Sequence, residues 1–519
     1  MGSSQSKPTA EQVLHEKAVL ERVQSMDRDF LDGNDVEEEF VHVDNEVTED
    51  ARLSRVAEAL PVKLLGSWQS RVLRDPKNRL ALSALSSANP MEVLASRSTK
   101  IADQHVFNIQ IPLEGGPITN QRSSGRCWLF ASTNVFRVAL MRKYNLDSFE
   151  LSQAYLFFWD KLEKANYFLE NVIDLADEDL DSRLVQRVLA DPVSDGGQWD
   201  MVYNLVDKYG LVPQTLYPDS WNAMNSRGIN YIIVAKLREY AVTLRKLLKS
   251  PSVTATALSA AKEKMMRQIH LILTLTLGPP PSATDAFDWT FKDKKGRVRT
   301  VSISPIEFAR DIASPELRAE LRITSSTIAG MVSLVHDPRH APLSLLSVDR
   351  LGNVVGGRGV TYINVEMAAL KGAAVDMLRS GLPVFFGCDV GKFSDRQGGV
   401  MDLDVVDYEL GFNVGILGGA GALDKADRLR VGESAMTHAM VLTAVHVDER
   451  TGHPVRWRVQ NSWGEDVGEK GWFVMSDAWM DEFTYQAVVD SRFLTREIRD
   501  VLKKEPIVLP LWDPLGSLA

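Results

Sequence analysis

Apolar residues along this chain recur in two rhythms, a helical one through most of its length and a strand-like one near the end. Residues 1–65 carry neither strongly. An amphipathic stretch at Gln12–Val23 gives way to an acidic run from Asp35 to Asp50, and the segment reads as a disordered, solvated extension. Leucines, alanines and valines at helical spacing predict one or two helices over Leu64–Arg97. Val106–Pro112 is a strand candidate before the turn Glu114-Gly115-Gly116-Pro117. Leu129, Val135, Phe136, Ala139 and Leu140 predict a helix that starts at or just after Cys127. Phe149–Leu169 is helical and rich in aromatic residues (Tyr155, Phe157, Phe158, Trp159), a stripe that reads as core. A further helix over Met201–Tyr209 closes at Gly210 with Pro213 beyond it. Asn230–Leu277 is mostly helical, and Phe287–Ile303 alternates as a hairpin around Asp293-Lys294-Lys295-Gly296.

At Pro383 the texture changes. Val384–Cys388 and Met440–Val447 are apolar runs, Arg456–Gln460 and Gly471–Met475 alternate, and all four predict strands. Pro510–Ala519 is apolar without any period. The pattern separates a polar extension (1–65), a largely helical part with a hairpin (66–380), a strand-rich part (381–505) and an unpatterned end (506–519), which the resemblance given below divides into a helical lobe (66–219), a mainly helical insertion with a hairpin (220–380), a β lobe (381–505) and a C-terminal arm (506–519). The fold class is α+β.

Composition narrows the setting. The chain has 519 residues and a formal net charge of −10, which argues against a general polyanion-binding surface. Its two cysteines, Cys127 and Cys388, exclude a disulfide framework and point to a reducing cytosolic or nuclear setting, of which the cytoplasm is the expected one. No apolar run reaches membrane-spanning length. The opening Met1-Gly2-Ser3-Ser4-Gln5-Ser6 fits an N-myristoylation pattern at Gly2, although a single acyl chain would anchor only weakly. The basic cluster Lys292–Arg299 is a candidate nucleic-acid contact, against the plainer reading of a solvated hairpin tip. His336 and His340 are spaced like metal ligands, but Pro338 between them breaks the helix such a pair needs, so no metal site is expected. The glycine run Gly415–Gly421 lacks the lysine of a phosphate loop.

The chemistry concentrates at Cys127. A thiol that follows the polar turn Ser123-Ser124-Gly125 at a helix start is expected to ionise more readily, because unpaired N–H groups there favour an anion. Six residues upstream, the Gln121 amide is placed to donate to an oxyanion. A thiolate nucleophile needs a base. His438 stands at the mouth of an apolar strand, and Asn461 follows the strand Arg456–Gln460. Antiparallel pairing across the turn Asp448–Pro454 would set the two side by side, with Asn461 fixing the imidazole tautomer and Trp463 covering the contact. Cys388, inside a strand beside Asp389, reads as an inert buried thiol. Gly196 and Gly197 form a double-glycine turn that would let a substrate strand approach.

Gln-(x)5-Cys-Trp-x-Phe with a distant His and Asn-Ser-Trp-Gly resembles the papain-like cysteine peptidases, for which the Cys-Trp segment with a downstream His and Asn is the known signature. Asp195-Gly196-Gly197-Gln198-Trp199-Asp200-Met201, Phe386–Lys392, Met436–Met440, Asn461–Asp466 and the last eight residues, taken together, resemble the bleomycin hydrolase family. The likeness runs from about residue 66 to the end and is weakest over 220–380. It implies a two-lobed papain-like fold and a cytosolic thiol aminopeptidase that acts on peptides and aminoacyl amides, with thiolactones as further substrates. It also implies a homohexamer and no cofactor, and in some members nucleic-acid binding. On this resemblance Cys127 is the nucleophile, His438 the acid and base, and Asn461 its orienter. Gln121 serves the oxyanion, and Gly196, Gly197 and Trp463 contact substrate. The arm lies in the cleft with the Ala519 carboxylate facing the substrate amino group.

Overall fold

A computed structural model describes residues 60–310, 328–417 and 422–517. The expectations for Gln12–Val23, the Gly2 pattern, the end of the glycine run and Ala519 fall outside them. The chain forms two compact units.

The first unit joins Met1–Ser96 to Val406–Asp424. The expected helical stretch is split here into α1 (Val62–Arg74) and α2 (Pro76–Leu85). The break is chemical. Asp75 is extended and its carboxylate accepts the Lys77 N–H at 2.8 Å, while Pro76 takes the first helical position, where a missing N–H costs nothing. The returning segment hydrogen-bonds back, Asp407 N–H to the Leu94 carbonyl at 3.0 Å.

The second unit, Arg97–Val405 with Lys425–Ala519, holds the candidate chemistry. It begins with β1 (Ile109–Gln110), shorter than expected because the Asn108 side chain bonds the Val447 backbone in place of further ladder bonds. Next come α3 (Cys127–Tyr144), α4 (Gln153–Asp174) and α5 (Trp199–Tyr209). α4 starts four residues later than its aromatic pattern suggests, because the Ser152 hydroxyl caps the Tyr155 N–H at 3.1 Å. Tyr155, Phe157 and Phe158 are wholly buried on it. The long helical stretch resolves into α6 (Arg227–Leu248) and α7 (Ala255–Leu277), parted at Pro251 and restarted by the Thr254 cap.

The hairpin is β2 (Phe287–Lys292) against β3 (Val298–Ile303). Its cations are largely spoken for: the Asp293 carboxylate pairs with both Arg297 and Arg299, and Lys294 faces Asp147. Three strands then arise inside the stretch expected to be mainly helical, β4 (Met331–Val335), β5 (Leu345–Val348) and β6 (Thr361–Asn364). β4 is buried on both faces, so its apolar run has no alternation to betray it. After α8 (Met367–Arg379) come β7 (Val384–Cys388), β8 (Ser394–Asp395), β9 (Val400–Met401), β10 (His438–Val447), β11 (Pro454–Gln460), β12 (Trp472–Ser476), β13 (Thr484–Asp490) and β14 (Ile507–Leu509).

Twelve strands make one mixed sheet in the order β14-β5-β6-β4-β13-β7-β10-β11-β12-β9-β8, with β1 alongside β10. The central trio is antiparallel, and α3 packs on β10 and β7. A thiol at the start of α3 therefore meets the start of β10.

Candidate active site

Cys127 is the first residue of α3 and is only 2% exposed. The turn before it is held from three sides. The buried Arg126 guanidinium reaches Asp219 at 2.7 Å and the Ser124 hydroxyl at 2.9 Å, and it lies over the Phe130 and Phe157 rings. Gly125 donates its N–H to Asp195 at 3.0 Å, and a Cβ there would sit 2.8 Å from the Asp195 side chain. The Cys127 sulfur receives the N–H of Ala439, the residue after His438.

His438 opens β10 and Asn461 directly follows β11; the register that pairs Val441 with Gln460 brings them together. His438 Nε2 lies 2.9 Å from Asn461 Oδ1, and that oxygen also accepts the Ser462 N–H at 2.8 Å. With Nε2 engaged, Nδ1 is the nitrogen left for the thiol. The Trp463 indole stacks on the imidazole at 4.8 Å and 29°, shielding the contact from water, and the Arg396 guanidinium lies 4.6 Å from the same indole. Cys388 is the cross-strand partner of His438 and fully buried.

Gln121 reaches this cluster through the opposite loop. Its N–H donates to the Ser462 carbonyl at 2.8 Å, its Oε1 accepts from the Ser462 hydroxyl at 2.7 Å, and its Nε2 donates one hydrogen to the Ser124 carbonyl at 2.7 Å. The second Nε2 hydrogen has no partner among the described residues. Asn120 and Trp463 pair in an antiparallel bridge beside it.

The turn at Gly196 and Gly197 lies against Trp128, the residue after Cys127. A Cβ on Gly197 would meet the Trp128 indole at 2.7 Å, so only glycine fits. The Trp128 Nε1 donates to the Asp195 carbonyl at 2.6 Å. Beneath, α4 supplies two buried lysines. Lys164 donates to the carbonyls of Gly196 (2.6 Å) and Ser194 (3.0 Å), and Lys161 pairs with the Asp195 carboxylate at 2.7 Å. Burial alone would raise the Asp195 carboxyl, but Lys161, Ser226 and the Gly125 N–H hold it well below the usual carboxylate range.

The C-terminal arm crosses this region. Arg339 grips Asp513 at 2.8 Å, the Tyr362 hydroxyl reaches the Leu515 carbonyl at 3.3 Å, and Ser517 is held at both ends. Its carbonyl accepts Gln198 Nε2 at 2.8 Å, next to the glycine turn. Its hydroxyl donates to the Met436 carbonyl at 2.9 Å, two residues before His438.

The electrostatics set burial against one expectation, the readier ionisation of Cys127. Burial pushes the Cys127 thiol up to about 11, against the pull of the backbone N–H groups of Ala439, Trp128 and Cys127 itself. Burial likewise draws the His438 imidazole down to about 4, against the Asn461 hydrogen bond. The helix start does favour the anion, but the lid of protein above it takes away more hydration than the helix returns. Burial thus works against charge on both partners. Cys388 is driven up by burial first and by Asp389 second.

Lys161, Lys164 and Arg396 have no place in the sequence reading, and Asp195 and Gln198 enter it only as part of a motif, without a role of their own. The signal for the lysines was present as charged positions within the buried aromatic face of α4. Among the described residues no cluster of three or more His, Cys, Asp or Glu is arranged to hold a metal, and no helix is long and apolar enough to cross a membrane.

Comparison with known proteins agrees with this architecture. The model of the Peptidase C1-like family matches residues 59–516. Cysteine proteinase 1, mitochondrial, of Saccharomyces cerevisiae is 42% identical over 474 residues, covering 90% of this chain and 94% of that protein. Bleomycin hydrolase of Homo sapiens is 42% identical over 451 residues, 86% of this chain and 95% of that one. The crystal structure of PepW from Lactobacillus rhamnosis matches with a TM-score of 0.82 at 38% identity, covering 89% of this chain and 99% of that chain. The chain thus belongs to the Peptidase C1-like family, as a cysteine peptidase of the bleomycin hydrolase type with a papain-like α+β fold.

Proposed function

We propose that the protein is a thiol aminopeptidase that removes single residues from the free amino end of peptides and aminoacyl amides. The observation that carries this reading is the docking of Ser517 between Gln198 and Met436. The arm fills the cleft on the side where the substrate's preceding residues would lie, so only a chain end fits. The carboxylate of Ala519, two residues on, then meets the substrate ammonium, and the pairing of charges sets the cleavage register.

In this mechanism His438 Nδ1 takes the Cys127 proton as the sulfur attacks the first peptide carbonyl. The oxyanion is met by the uncommitted Gln121 N–H and the Cys127 backbone N–H. Collapse expels the leaving nitrogen, which takes the proton from His438. Water, deprotonated by the same imidazole, then cleaves the thioester and restores the thiol. Asn461 keeps Nε2 protonated, and Gly196 and Gly197 take the substrate backbone. A thiolactone offers the same acyl carbon to Cys127 and falls within this chemistry.

Deletion of residues 517–519 tests the reading. Single-residue products from a peptide ladder should give way to internal cuts, and N-terminally blocked peptides should become substrates. An unchanged product pattern overturns it. Assembly as a homohexamer belongs to the same proposal, and the exposed Trp221, Tyr231 and Leu275 offer apolar surface for contacts between copies. The unbonded state of both cysteines suits a cytoplasmic setting. Asp293 draws Arg297 and Arg299 onto the hairpin itself, and no second reading is favoured.

A further inference from the structure

Arg396 stands on the short turn between β8 and β9, exposed to solvent. Exposed arginines are usually mobile, but this turn is pinned. The Asp395 carboxylate pairs with Lys100 at 2.7 Å, and its carbonyl accepts the Gly399 N–H at 2.8 Å. The Gln397 carbonyl accepts the Gly468 N–H at 3.0 Å, and its side chain donates to the Asp466 carbonyl at 3.2 Å. The guanidinium itself rests on Trp463 and has no carboxylate partner among the described residues. An oriented cation therefore stands beside the indole that covers the imidazole.

The chemistry says what passes there. In the proposed reaction the leaving nitrogen must touch His438 to collect its proton. The other side of the scissile bond is taken by the glycine turn and the arm at Ser517. The departing peptide is left with the direction over Trp463. Separations of 4.6 Å from guanidinium to indole and 4.8 Å from indole to imidazole keep Arg396 within about 10 Å of His438, roughly the reach of three extended residues.

We propose that Arg396 is a specificity-determining residue on the leaving-group side, and that it selects substrates with a carboxylate two to three residues beyond the scissile bond. Short peptides supply it as their own C-terminus, and longer ones as an Asp or Glu side chain. Because the pair forms at a partly hydrated surface, its effect is modest and salt-sensitive. The proposal rests on the aminopeptidase reading of the same site.

The test compares trialanine as the free acid with trialanine amide, by the ratio of their kcat/KM values for loss of the first residue. The wild-type ratio should favour the acid about fivefold at low salt and shrink toward one at about 0.5 M salt. Arg396→Gln should bring the ratio to about one at any salt, and Arg396→Lys should keep most of it. A wild-type ratio at or below one overturns the proposal, as does a ratio untouched in Arg396→Gln. Equal loss in the Lys variant does so too, since it would assign the effect to stacking rather than charge. If neither trialanine nor an aminoacyl-coumarin amide loses its first residue, the aminopeptidase reading falls and this proposal with it. Intact cleavage with an unchanged ratio removes Arg396 alone.

Discussion

The Asp195 carboxylate accepts the Gly125 N–H at 3.0 Å, and so ties the turn that precedes Cys127 to the turn at Gly196 and Gly197. The same carboxylate holds the buried Lys161 and the side chains of Ser226 and Asn230 at the start of α6. One side chain thus braces two loops against two helices. Asp195→Asn leaves the fully buried Lys161 ammonium without a counter-charge and should cost about 3–5 kcal/mol of unfolding free energy in urea titrations. Because the folded carboxyl is depressed, its contribution is present above the ordinary value of 3.8 and is lost only as pH falls below it. A loss under about 1 kcal/mol would show the brace to be dispensable.

Removal of the nucleophile and its base separates chemistry from folding. Cys127→Ala and His438→Ala should each lower kcat/KM on aminoacyl-coumarin amides by at least about a thousandfold with an intact far-ultraviolet spectrum. Asn461→Ala should cost about 10- to 100-fold, chiefly in kcat, because the imidazole loses the acceptor that fixes its tautomer. Retained turnover in Cys127→Ala would exclude the thiol mechanism.

Gly197→Ala tests the packing of the glycine turn on Trp128. The added Cβ would stand 2.7 Å from a buried indole flanked by the Lys164 network, so the turn must move. The variant should lose about 1–3 kcal/mol of stability and show a raised KM. Wild-type KM and melting temperature would mean that the turn yields without cost.

Acid should weaken the fold in a defined window. Burial, helped by the nearby Lys425 charge, holds the His336 imidazole at about 4 instead of 6.5. Between these values the unfolded chain binds a proton that the folded chain refuses, so stability is whole above pH 6.5 and falls as pH drops toward 4. His336→Gln should flatten that fall by roughly 1–2 kcal/mol, less than the full shift because the ring is partly solvated. Melting curves at about pH 7 and about pH 4.5 measure it, and equal slopes in variant and wild type would contradict the assignment.

The α+β class was legible because Pro383 divides two periodicities, and the contact between His438 and Asn461 followed from a hairpin whose turn is written in Asp448–Pro454. Other features were hidden for physical reasons. β4 is too short and too evenly buried to alternate, so it was lost in a stretch read as helix. Lys161 and Lys164 on α4 looked like ordinary charged positions, since nothing local shows that carbonyls from residues 193, 194 and 196 will fold over them. A helix start is visible in sequence, whereas the burial that opposes the thiolate arises only in the folded chain, where even the Ala439 N–H that favours it comes from more than three hundred residues away.

That separation has a consequence for the chain during its synthesis. Cys127 leaves the ribosome more than three hundred residues before His438, Asn461 and Ser517. β10 cannot take its place between β7 and β11 until all three strands have emerged. A nascent chain therefore carries an unassisted thiol with no base beside it and no arm across the cleft. The proposed catalytic set can therefore assemble only once β11 has emerged, and the arm proposed to restrain it follows later still in the chain.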